Sequence, residues 1–138
     1  MPSVVVDTCV LSALFKGAPI AASYRPHLAG KRLVISFQTL AELYRWPLER
    51  GWEVTRQGHL EAFIGRHCVL YPFNPALCRQ WAEATYQASR NGYTVPAADA
   101  WIAATALLYD IPLVTNNPDD YRGIPGLNIV SEPPSAAP

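Results

Sequence analysis

"VVVDTCVLSALFKG", Val4 to Gly17, decides how this chain is read. Three β-branched valines in a row favour a buried strand, because such side chains are stiff at χ1 and pack well on a pleated surface. The run stops on Asp7, and an ionised carboxylate is costly to bury unless something pairs with it or binds it. Thr8 or Asp7 then stands where a helix cap belongs, and Gly17 where the helix ends. A strand therefore runs straight into a helix, with a charge at the joint.

The same alternation continues along the chain. Residues 18–31 read as a second short helix that Pro26 breaks or kinks, and "RLVIS" (32–36) as a second strand. In "FQTLAELYRWPLERG" (37–51), Leu40, Leu43, Tyr44 and Leu48 fall at spacings of three and four, a helical stripe that Pro47 bends or ends. Residues 52–67 continue as helix on Leu60, Phe63 and Ile64, and "CVLYPF" (68–73) follows as the third strand. Asn74-Pro75 opens a helix that Asn91-Gly92 closes. The alanine-rich stretch 95–111, with Ile102, Ala106 and Tyr109 on one side, predicts a closely packed helix. "PLVT" (112–115) and "LNIV" (127–130) supply strands four and five. Strands alternating with helices predict a three-layer α/β/α sandwich around a mostly parallel, roughly five-stranded sheet. One domain over 1–131 is expected, with a disordered tail at 132–138.

Composition narrows the function. With 138 residues, half of them hydrophobic, the chain can bury a real core. No apolar run reaches a membrane span, and the N-terminus lacks a signal-peptide pattern, so an intracellular, cytoplasmic protein is expected. The three cysteines, Cys9, Cys68 and Cys78, have no metal-ligand spacing and read as reduced, packed thiols. Eleven basic and eleven acidic residues cancel, which argues against a general polyanion binder. Residues 25–66 do carry seven bases against four acids, equally consistent with a solvated helical surface.

The acids stand where a plain scaffold has other residues. Asp7 ends an apolar strand, Glu42 lies inside "TLAELY", and Asp99 lies in the first turns of an alanine-rich helix. Asp119 and Asp120 follow strand four beside Asn116 and Asn117. In parallel sheets, ligands bind outside the carboxyl ends of the strands, where Asp7 and the 116–120 segment are expected. Carboxylates gathered there repel unless protonated or bridged by cations. Oxygen-only donors suit Mg²⁺ or Mn²⁺, which can acidify a bound water and neutralise a phosphate. Each acid alone has a plainer reading: a cap at Asp7, a dipole partner at Asp99, an exposed helix residue at Glu42, and turn residues at Asp119 and Asp120. Their joint placement carries the functional reading. Phosphate-binding glycine loops and a G-x-S-x-G nucleophile are absent, and Cys9 occupies the position where an aspartyl phosphatase carries its second acid.

These segments resemble a known family. "VVVDTCVLSALF" is similar to the opening of PIN-domain ribonucleases, especially VapC-type toxins of type II toxin–antitoxin modules. "ISFQTLAELYRW" resembles the second motif, and "VPAADAWIAATALLYDIPLVTNNPDDY" the third and fourth. The resemblance implies a Rossmann-like sheet with four acidic positions at one edge. One or two Mg²⁺ or Mn²⁺ ions bind there, and a metal-activated water cleaves RNA (tRNA, rRNA or mRNA). Carried over, Asp7 and Asp99 are the principal metal ligands, and Glu42 completes the shell or holds a ligand water. Thr8 supports the site, Thr115 and Asn116 touch substrate or hold the loop, and Asp120 compensates for Asn117, which stands at the fourth acidic position without an acid. The resemblance further implies a homodimer and a small antitoxin protein. Tyr44, Trp46, Trp52 and Phe63, with Arg45, Arg50 and Arg56, are candidates for the antitoxin contact or for stacking on RNA bases. Two alternatives are a catalytically weak RNA- or protein-binding module, favoured by Asn117, and a phosphohydrolase of small phosphate esters.

Overall fold

A computed structural model describes residues 1–132. The valine run forms β1 (Ser3–Val6), followed at once by α1 (Thr8–Lys16). Then come α2 (Ala21–Leu28), β2 (Arg32–Ile35), α3 (Phe37–Arg50), α4 (Val54–His67), β3 (Cys68–Leu70), α5 (Pro75–Arg90), α6 (Ala97–Tyr109), β4 (Leu113–Val114), a 3-10 turn at Pro118–Tyr121 and β5 (Ile129–Val130). The five strands lie in the order β3-β2-β1-β4-β5, and all four pairings are parallel.

That order places the functional edge. The chain lays β2 and β3 on one side of β1, then crosses over to lay β4 and β5 on the other. The direction of winding reverses between β1 and β4, and at such a switch point the flanking loops part to leave a crevice at the carboxyl ends. Val6 pairs with Val114 there, and the Asp7 amide donates to the Val114 carbonyl at 2.9 Å.

Period-two alternation along β1 builds both faces. Val4 and Val6 join Val10, Leu11, Tyr24, Leu43, Leu60 and Ile64 in a core under α1–α4. Val5 faces the opposite core, with Ala84 and Ala88 of α5 and Ile102, Ala103 and Ala106 of α6. The small side chains let α5 and α6 approach closely. The expected three-layer sandwich is present.

Several boundaries differ from the expectation. Helices α2 and α3 run through Pro26 and Pro47. Pro47 falls near the end of its helix, where it removes one amide donor and buries its ring, and Gly51 at φ 63° makes the stop. The third strand ends at Leu70, opposite Ile35, because β2 gives way to the Ser36 cap of α3 and Pro72 has no amide to pair. Tyr44 and Leu48, expected on the apolar stripe of α3, are exposed, and Tyr109 leaves the α6 stripe to meet Tyr71 at 4.4 Å. Of the expected tail, 133–138 lies outside the described residues, whereas Glu132 is tied down through His27 and Tyr24.

Candidate acidic active site

Asp7 is the N-cap of α1, and only 7% of it is exposed. Its carboxylate is held by neutral donors. The Thr8 amide donates to Oδ1 at 2.7 Å; the hydroxyls of Thr115 and Tyr121 donate to Oδ2 at 2.7 and 2.9 Å. Hydrogen bonds to an ionised acceptor are about twice as strong as neutral ones, so these three make a buried charge tolerable without a basic partner. Burial, then the Asp7 charge, pushes the Tyr121 hydroxyl far above its ordinary pKa, keeping it a donor. Burial, again with Asp7 second, raises the Cys9 thiol to about 11, so Cys9 is an inert packing group.

Thr8 extends the site to α3. Its hydroxyl donates to Glu42 Oε1 at 2.8 Å and lies 3.2 Å from the hydroxyl of Thr39. Ser36 caps α3 by accepting from the Thr39 amide at 3.1 Å, which fixes the start of the helix that carries Glu42 in its second turn. Burial raises the pKa of Glu42; the Thr8 hydrogen bond opposes this, and the Asp7 charge adds to it.

Asp99 sits in the first turn of α6 and is only partly exposed. Its pKa is pushed up to about 6, first by burial and then by the charges of Asp120, Asp7 and Glu42, in that order. All four acids therefore share one electrostatic neighbourhood. Among the described residues, no lysine, arginine or histidine forms an ion pair with any of them. Also among the described residues, no three His, Cys, Asp or Glu side chains stand close enough to form a ready-made metal cage. Oxygen-only donors without basic partners fit a hard cation that keeps part of its water shell, as Mg²⁺ commonly does.

The remaining expected residues are distributed unevenly. Asn117 is exposed, and its backbone amide, not its side chain, reaches the site by donating to the Thr115 hydroxyl at 3.0 Å. Asn116 turns its side chain to Tyr24. Asp120 is exposed in the 3-10 turn, yet it is the strongest charge acting on Asp99. Among the aromatics expected on a partner face, Trp46, Trp52 and Phe63 pack against the α1–α4 core, drawn in by contacts with Phe15 at 5.5–6.3 Å. Only Tyr44 of the four stands exposed. Tyr121 and Thr39 were not singled out from sequence. The available signal was a lone tyrosine closing "NNPDDY", since a buried phenol needs a partner for its hydroxyl.

The PIN domain profile matches residues 4–126. This chain belongs to the PIN-domain family. It is 30% identical over 125 residues to Ribonuclease VapC1 of Haemophilus influenzae, covering 88% of this chain and 92% of that protein. Among solved structures, VapBC-1 from nontypeable Haemophilus influenzae superposes with a TM-score of 0.75 at 25% identity, covering 93% of this chain and 96% of that one. VapBC2 from Rickettsia felis, bound to a DNA fragment from its promoter, superposes with a TM-score of 0.79 at 18% identity over 94% and 98%. At that identity the second likeness speaks for the PIN fold alone.

Proposed function

We propose that this PIN-domain chain is the toxin of a type II toxin–antitoxin pair, an endoribonuclease that uses Mg²⁺ or Mn²⁺. The observation that supports it most is the group of four mutually repelling acids without basic partners at the sheet's switch point. Likeness to a ribonuclease over most of the chain agrees with it.

Asp7 and Asp99 are the proposed direct ligands, with Asp120 in the role of fourth acid in place of Asn117. A bound divalent ion supplies Lewis acidity, lowering the pKa of a water and neutralising charge on a phosphate. The chain's own residues do the rest. Thr115, Tyr121 and the Thr8 amide hold the Asp7 carboxylate in one orientation. Thr8 occupies Glu42 Oε1, which leaves Oε2 to take the proton of a water. Hydrolysis adds the water oxygen to phosphorus, breaks the bond to the 3′ oxygen, and leaves a 5′-phosphate and a 3′-hydroxyl. Because the chain carries no net charge, RNA selection rests on shape and local contacts.

For the antitoxin, a groove of about 400 Å³ between α1, α2, β2 and α4 suits the apolar side of a short segment. It is lined by Leu14, Leu28, Leu33 and Phe63, with Arg25 and His67 at hand. Tyr44 and Leu48, exposed along α3, offer a face for a homodimer.

The test is the purified, antitoxin-free chain with structured RNAs and Mg²⁺ or Mn²⁺. Cleavage that EDTA stops, and that is lost on Asp7→Asn with Asp99→Asn, is the expected result; cleavage that survives either treatment contradicts the reading. That, among the described residues, no three His, Cys, Asp or Glu side chains stand close enough to hold a metal favours one second reading, an RNA- or protein-binding module without turnover. Tight RNA binding with no Mn²⁺ uptake selects it.

A further inference from the structure

Tyr24 lies on α2, outside all four motif segments, in a stretch that reads as plain helix. It is 1% exposed, with its ring in the α1–α4 core, yet its hydroxyl serves as a junction. The Glu132 amide lies 3.1 Å away and is only a donor, so the phenol oxygen accepts from it. The phenol proton then goes to Asn116 Oδ1 at 2.8 Å, with the Thr115 carbonyl at 3.2 Å as the second acceptor within reach. The Ser131 hydroxyl is 3.5 Å away.

Thr115 is thus gripped on every polar atom. Its amide donates to the Val130 carbonyl at 3.1 Å, and its carbonyl faces Tyr24. Its hydroxyl accepts from the Asn117 amide and donates to Asp7. A hydroxyl with its acceptor site already filled can direct its single proton in only a narrow set of directions, and here that direction is Asp7. Remove Tyr24's hydroxyl and the carbonyl side of Thr115 and the Asn116 amide lose their anchor, while β4 stays paired through the Thr115 amide.

We infer that Tyr24 is a positioning residue for the acidic site: its hydroxyl clamps the Thr115–Asn117 loop to the segment after β5, and so sets the direction from which Thr115 donates to Asp7. The inference rests on the proposed nuclease site, but its first readout does not need catalysis.

The experiment compares the full-length chain with Tyr24→Phe, Asn116→Ala and the double variant. Amide hydrogen exchange reads the clamp directly. In Tyr24→Phe, exchange at the Asn117 amide rises by roughly tenfold, the effect of one lost hydrogen bond, while the core amides of Ala84 and Ala88 in α5 stay within about twofold. Asn116→Ala gives the same local rise with the Tyr24 ring in place, and the double variant adds little, because both cut one link. Mn²⁺ affinity and the cleavage kcat fall in parallel with the exchange change, with KM for RNA nearly constant. Unchanged exchange at Asn117 overturns the inference. So does an equal rise at all amides, which marks general loosening, or additive effects of the two substitutions. If the wild type neither binds Mn²⁺ nor cleaves RNA, the nuclease reading falls, and the exchange pattern still decides the clamp.

Discussion

Asp7 and Asp99 share one cluster but are held in opposite ways. On the β1–β4 side, Asp7 is nearly enclosed and takes three donors, two from side chains more than a hundred residues away. On the α6 side, Asp99 is half-enclosed, is surrounded by three other negative charges and sits at a pKa of about 6. The fold has compensated one carboxylate and left the other wanting a counter-charge. A structural acid resembles Asp7; an acid awaiting a cation resembles Asp99. Their coexistence at one sheet edge separates this site from an ordinary cap or ion pair, and it predicts that the two respond differently to the same change.

The largest effects concern activity. Each of Asp7→Asn and Asp99→Asn is expected to lower Mn²⁺-dependent RNA cleavage by at least about 100-fold, within the range typical of lost acid–base and electrostatic groups. Here the two acids agree. They part in stability, read by denaturant unfolding of the metal-free protein. Asp7→Asn leaves an amide donor facing either the Thr8 amide or the Thr115 and Tyr121 hydroxyls, and costs about 1–3 kcal/mol. Asp99→Asn removes repulsion and leaves stability unchanged or higher. Equal losses in both variants break the contrast.

The dependence on pH sharpens it. In the folded chain Asp99 titrates near 6, above its ordinary value of 3.8, so between these pH values the folded form binds more protons than the unfolded one. Stability therefore falls as pH rises from about 4 to about 6, then levels with respect to this group. Denaturation midpoints at pH 4, 5, 6 and 7 show the decline in the wild type, and the difference from Asp99→Asn isolates its share. Smaller still, Tyr121→Phe removes one of the three donors to Asp7 and costs about 1 kcal/mol in the same assay. It leaves the Asp99 titration in place. The least effect is that of Asn117→Asp: a carboxylate at the exposed fourth position is expected to raise Mn²⁺ affinity by only a few-fold, because ligand charge tunes such sites and Asp120 already contributes negative charge beside Asp99.

The contrast also marks where the sequence was legible. Strand and helix order could be read because Val4–Val6, Asn74-Pro75 and Gly17 are local signals that tertiary contacts reinforce. Asp7, Glu42 and Asp99 could be singled out because acids in apolar surroundings are conspicuous. The helices through Pro26 and Pro47 were less legible, since a missing amide costs little near a helix end, where Pro26 leaves its ring in solvent and Pro47 buries its ring. Asp120 could be named beside Asn117 as a compensating acid, but that its charge acts on Asp99 ahead of the others depends on the 3-10 turn at Pro118–Tyr121, which residue spacing does not encode. Tyr121, Thr39 and Tyr24 were missed for a similar reason: their hydroxyls act across 91 to 114 residues of sequence in the case of the two tyrosines, and nothing adjacent in the chain announces the partner. Which of the aromatics at 44–63 pack and which face solvent was not legible, because periodicity cannot tell a ring packed on Phe15 from one left exposed like Tyr44.

One measurement bears most directly on the central claim, that this edge holds an uncompensated charge suited to a divalent cation. It is calorimetric titration of Mn²⁺ into the full-length, metal-free chain at neutral pH, with Asp99→Asn alongside. The account predicts saturable binding in the wild type, displaced by Mg²⁺ and lost in Asp99→Asn while that variant remains folded. No saturable binding to folded wild type, or equal binding by the variant, contradicts it.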